Sequence, residues 1–102
     1  MRQISIVYCP FPDLDSAVAV TKSMVSQKLI ACSNIVASES IFNWEGEMKQ
    51  TSEFVAIMKT DSDKIDKLYE VLEKEHPYEV PAILSWNALA NESYGSWVES
   101  ET

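Results

Sequence analysis

The single histidine of the chain, His76, stands in the stretch HPYEVP, and one of its two cysteines, Cys9, closes the apolar run ISIVYC. A thiolate and an imidazole suit copper or zinc better than magnesium or calcium. Asp13, Glu75 and Glu79 lie close in sequence to one or the other and are candidates to add oxygens. One sulfur and one nitrogen leave a tetrahedral site two ligands short, so water, carboxylates or another subunit would have to complete it. The same residues have a plainer structural reading, with Cys9 a small apolar plug and His76 the point where a helix stops. A catalytic Cys–His pair would further need a lowered thiol pKa, an orienting residue and an oxyanion hole. No residue pattern supplies these, and the chain reads as a non-enzyme.

Composition narrows the classes. The net charge of −8 and the single arginine, Arg2, argue against a nucleic-acid surface, because duplex binding rests on clustered Lys and Arg. Gly46 and Gly95 are the only glycines, which excludes a Gly-rich phosphate loop. The opening MRQISIVYC lacks the apolar core of a signal peptide, and no apolar run is long enough to span a bilayer. The expectation is a cytoplasmic protein without membrane contact, whose Cys9 and Cys32 remain thiols. Their separation matches neither a C-x-x-C motif nor a zinc-finger pair, and no intrachain disulfide is expected.

The elements that must position these residues follow from periodicity. Gln3–Cys9 alternates as a strand and ends at the stiff loop Pro10-Phe11-Pro12; Asp13 or Asp15 caps a helix whose stripe is Leu14, Ala17, Val18, Thr21, Met24 and Val25. Ala31–Trp44 is extended, Glu45-Gly46-Glu47 turns, and Met48–Lys59 returns through the apolar run FVAIM. Thr60 or Ser62 caps a second helix with Ile65, Leu68, Tyr69 and Leu72 inward, and Pro77 ends it at His76. Ala82–Leu89 forms a fourth strand and Asn91–Val98 a short helix carrying Tyr94 and Trp97.

This order predicts a single α+β domain over residues 1–102, a ferredoxin-like βαββαβ sandwich with a short C-terminal helix. Right-handed crossovers give the spatial strand order 4-1-3-2. The end of strand 1, at Cys9, then meets the start of strand 4, just past His76. Strands 2 and 3 are each about twice as long as strands 1 and 4, so part of their hairpin projects. Bare ribbon edges invite pairing with other copies, and a closed ring is the expected outcome. Trp44 near the tip reads as an interface anchor or a cross-strand packing residue. Tyr78, Glu79 and Trp97 are candidates for a cleft or interface near the HPYE loop.

In order and spacing, LIACSNI at 29–35, FNWEGEM at 42–48, Lys59-Thr60, HPYEVP at 76–81, and Tyr94 with Trp97 resemble the CutA divalent-cation-tolerance proteins. The resemblance runs over nearly the whole chain. It implies a homotrimer of ferredoxin-like protomers joined by long hairpins, and a cytoplasmic role in tolerance of divalent metals, copper above all. It also implies copper binding through Cys9 and His76. Glu75 stands where some members carry a second histidine, and Ala90 where many place a glycine. No obligatory cofactor is implied; Cu(II) or another divalent cation is the expected ligand, at Cys9, His76 and Glu75. The alternative is a signalling or scaffold trimer shaped like the nitrogen-regulatory PII proteins, with a small effector or partner protein in its subunit clefts.

Overall fold

The computed structural model describes residues 1–102. Alternating burial along the first segment builds strand β1 (Arg2–Phe11), which runs through Pro10 instead of stopping at Cys9. Pro10 is tolerated because β4 leaves β1 at the pair Tyr8–Leu84, so beyond Tyr8 the strand has only β3 beside it. Helix α1 (Leu14–Ser26) starts at Asp13, whose carboxylate accepts from the Ser16 N–H at 2.7 Å. It ends in a Schellman motif: Lys28 takes a φ of +59°, and the N–H groups of Leu29 and Lys28 return to the carbonyls of Met24 and Val25.

β2 (Cys32–Trp44) and β3 (Glu47–Thr60) form the long hairpin. Its loop is only Glu45-Gly46, with φ values of +51° and +80°, the paired positive φ that suits the twist of a two-residue hairpin turn. A 3₁₀ turn (Ser62–Lys64) capped by Asp61, and not by Thr60 or Ser62, leads into α2 (Ile65–Glu75). The Thr60 hydroxyl is occupied elsewhere, donating to the Leu29 carbonyl at 2.7 Å. β4 (Leu84–Ala90) and α3 (Glu92–Ser100) complete the chain.

The sheet is antiparallel throughout, in the order β2-β3-β1-β4, the ferredoxin-like arrangement expected from the crossover rule. One face packs under α1 and α2, where Val7, Cys9, Phe11, Ala56 and Met58 meet Ala17, Met24, Leu68 and Leu72. α3 crosses part of the other face, closing Ile4 and Ala31 beneath Val98. The approach is close. A Cβ at Gly95 would stand 2.8 Å from the Arg2 Cβ, so this helix position is restricted to glycine. Along that same helix face the Arg2 guanidinium donates to Glu92, Ser96 and Glu99.

The rest of that second face is uncovered. By strand alternation Val36, Leu84 and Trp86 point out of it, and all three are exposed. Glu47 to Glu53 pair with β2 alone, because the β1 register ends at Phe11–Phe54. The hairpin therefore projects as a two-stranded ribbon, and the protomer measures 45 × 24 × 21 Å. No helix is long and apolar enough to cross a membrane.

Candidate functional site

The rim where β1 ends and α2 stops is the region that should unite Cys9 and His76. Pro77 forces His76 out of helical geometry to φ −70°, ψ 137°, while its N–H still caps Leu72 at 2.9 Å. This conformation turns the imidazole inward, where it stacks on Phe11 with centroids 4.4 Å apart and planes 19° from parallel. Nε2 lies 2.8 Å from the Pro10 carbonyl, which only accepts, and Nδ1 takes the Tyr78 N–H at 3.0 Å. Those partners fix the neutral tautomer with its proton on Nε2. Burial pushes the His76 pKa down, against the opposing pull of the Pro10 carbonyl and the Glu53 charge.

Cys9 is fully buried among the apolar side chains beneath the helices, and that burial pushes its thiol pKa up to about 12. The contact at this rim runs from His76 to the backbone of Pro10, the residue after Cys9. Glu75 is exposed on the last turn of α2 and accepts from the Gln27 side chain at 3.1 Å. The Asp13 carboxylate is engaged by the N-terminus of α1. As folded, these residues do not fit a metal centre. The thiol is held protonated, both ring nitrogens are occupied, and no group of three His, Cys, Asp or Glu side chains is placed to hold an ion. Cys32 is likewise a free thiol, 3.1 Å from the Tyr94 hydroxyl. Its register partner on β3 is Lys59, against Ala56 for Cys9, so the two cysteines sit on opposite sheet faces and cannot bridge.

A residue not singled out by sequence organises the other side of the rim. Glu53, on β3, is buried, and its carboxylate accepts the Tyr78 hydroxyl at 2.5 Å and the Ser40 hydroxyl from β2. Burial first, then the hydrogen bond to Glu53 and after it the Glu53 charge, push the Tyr78 pKa up, so the phenol stays a donor. The one sequence signal for Glu53 is an acid set directly before the apolar run FVAIM. Between ribbon and HPYE loop lies a cleft of about 530 Å³ walled by Phe42, Trp44, Lys49, Glu53, Tyr78 and Glu79, among others. Trp44, Tyr78 and Glu79 are thus brought together. Trp97 is not: it sits on α3 beside Tyr94, over the Arg2 end of β1.

Comparison with known proteins agrees with this architecture. The family described as "CutA1 divalent ion tolerance protein" matches residues 5–101. The Divalent-cation tolerance protein CutA of Pyrococcus horikoshii is 40% identical over 98 residues, covering 95% of this chain and 96% of the relative. The crystal structure of CutA1 from Pyrococcus horikoshii superimposes with a TM-score of 0.94 at 38% identity, covering 96% of this chain and 97% of that one. The divalent ion tolerance protein CutA1 from Ehrlichia chaffeensis gives 0.94 at 31% identity, with coverages of 99% and 96%. The chain belongs to the CutA1 divalent ion tolerance family.

Proposed function

We propose that this protein serves divalent-metal tolerance as a cytoplasmic homotrimer that binds without catalytic turnover. Family membership supports the metal-related role, since the relatives are named for tolerance of divalent ions and not for a reaction. The observation that carries the assembly is the uncovered apolar sheet face, with Val36, Leu84 and Trp86 exposed beside a projecting ribbon. A two-stranded ribbon is marginal in water by itself, and apolar surface of this kind is buried in oligomers. Heterologous pairing of such edges closes in a ring when the rotation between copies closes, as the proposed trimer requires.

Copper(II) or a similar ion is then bound with modest affinity by a chain whose net charge of −8 favours cations over anions. Capture at Cys9 and His76 would require deprotonating a buried thiol and breaking two hydrogen bonds of the ring. Calorimetric titration with Cu²⁺ and Zn²⁺ tests this reading. Wild type and a Cys9→Ser, His76→Ala double variant should bind copper with affinities within about twofold of each other. A loss of about tenfold or more in the variant, with its fold intact by circular dichroism, would place copper on those two residues and overturn the reading that they serve the fold alone.

A further inference from the structure

The uncovered sheet face carries two charges that find no counter-ion in their own protomer. By strand alternation the charged residues of this face are Arg2, Glu47, Lys49, Glu53 and Lys59. Arg2 is taken up by Glu92 and Glu99 of α3, and Lys49 by Glu47 at 3.0 Å. Lys59 donates only to the neutral side chain of Asn34, and Glu53 accepts only the neutral hydroxyls of Ser40 and Tyr78. Glu79, beside Glu53 in the cleft between ribbon and HPYE loop, is a second carboxylate without a cation.

Lys59 and Glu53 cannot answer each other within one chain. They stand six residues apart on β3, about 20 Å at the rise of a strand. Each adjoins apolar surface that assembly would dry. Lys59 shares a cross-strand row with Ile6 and Trp86, while Glu53 and Glu79 wall the cleft with Phe42, Trp44 and Tyr78. A charge taken out of water without a partner is strongly destabilising. The other lysines that lack an ion pair, Lys22, Lys28 and Lys64, lie in or beside the helices, which leaves Lys59 as the free cation of this face. Head-to-tail packing resolves both ends together: the Lys59 end of each copy meets the Glu53 end of the next, and a closed ring leaves no charge over. The cleft, of about 530 Å³, has room for a lysine stem lying along the rings with its ammonium at the carboxylates.

We infer that this cleft receives Lys59 of the partner subunit, with Glu53 and Glu79 as its counter-charge and Phe42, Trp44 and Tyr78 against its stem. The occupant is a second copy of this chain. The inference rests on the proposed homotrimer and specifies which ends of the face meet in it.

A water-soluble carbodiimide joins an amine to a carboxylate where the two are in contact, leaving an isopeptide bond in place of the ion pair. Wild-type protein refolded from an equal mixture of ordinary and isotope-labelled chains is treated with it, and its peptides are read by mass spectrometry. The Lys49–Glu47 pair is the internal control. Lys59 should be linked to Glu79 or Glu53 in peptides that mix the two labels. In sedimentation, Lys59→Glu should raise the dissociation constant of the assembly at least about tenfold, and adding Glu79→Lys should restore most of that loss. Glu79 is exposed, so the second substitution leaves the fold in place. The cross-link is read on the unaltered chain and does not depend on the variants folding. Assembled protein with Lys49–Glu47 linked and Lys59 joined to neither carboxylate would overturn the inference and leave the trimer standing. Lys59 links confined to single-label peptides, or a double variant no tighter than Lys59→Glu alone, would overturn it as well. A monomeric wild type would remove the trimer and the inference together.

Discussion

Nε2 of His76 donates to the carbonyl oxygen of Pro10 across 2.8 Å, tying the residue that ends α2 to the strand that carries Cys9. Two residues further on, the Tyr78 hydroxyl donates to Glu53 on β3. The loop between α2 and β4 is thus fastened to two neighbouring strands, once through a buried neutral imidazole and once through a buried carboxylate. His76, which the sequence marks as a helix stop as well as a candidate ligand, is in the folded protein part of a fastening of the sheet rim.

The imidazole makes that fastening sensitive to acid. Its folded pKa lies below the ordinary 6.5, so between the two values the unfolded chain holds more protons than the folded one. Stability contributed by His76 is then complete above about pH 6.5 and is lost as pH falls through the lowered folded value. Protonated Nδ1 also ceases to accept the Tyr78 N–H. Urea midpoints should fall between about pH 7.5 and about pH 5.5 in wild type and stay nearly level in His76→Asn, since histidine is the side chain that ordinarily titrates there. Equal slopes in both proteins would refute the neutral fastening. At neutral pH, His76→Ala should cost about 2–3 kcal/mol through the lost bonds and the cavity beside Phe11.

Cys9 and Cys32 should separate in alkylation experiments. With its thiol pushed up to about 12 by burial, Cys9 is expected to resist iodoacetamide in the native protein, and Cys32, half-buried, to label first. Both should label once the chain is unfolded. Mass spectrometry of peptides quenched at intervals reads the order directly; native labelling of Cys9 ahead of Cys32 contradicts the buried placement.

Glu53 and Tyr78 should be energetically coupled. Tyr78→Phe removes a donor from a charged acceptor and should cost about 1.5–3 kcal/mol. Combined with Glu53→Gln in a double-mutant cycle under denaturant, it should show a coupling of about 1 kcal/mol or more. Additive effects within error would mean that the short contact contributes nothing to the fold.

Much of this architecture is legible in the sequence, because strand alternation, helical stripes and crossover handedness are local or topological rules. They place Cys9 and His76 at one rim and the strands in the observed order. What they do not carry is side-chain direction. Alternation alone leaves open which face of β1 the helices cover, and the answer buries Cys9. The partners of His76 are a backbone carbonyl and a backbone amide, and neither leaves a mark in residue type. Glu53 escapes notice because a lone acid in a strand ordinarily faces water; only Tyr78, folded back from a distant loop, gives it a buried role. Aromatic character alone cannot say whether Trp97 joins Tyr78 at a cleft or packs elsewhere, and α3 docks at the far end of β1, where Gly95 allows close approach to Arg2.

The uncovered face and the ribbon lead to one number, the mass of the native particle. Sedimentation equilibrium on untagged protein at micromolar concentration should return three times the protomer mass of 11.5 kDa, and Trp86→Glu should lower it by burying a charge where the apolar faces meet. A wild-type mass of 11.5 kDa across the concentration series would contradict the assembly, leaving Val36, Leu84 and Trp86 facing water.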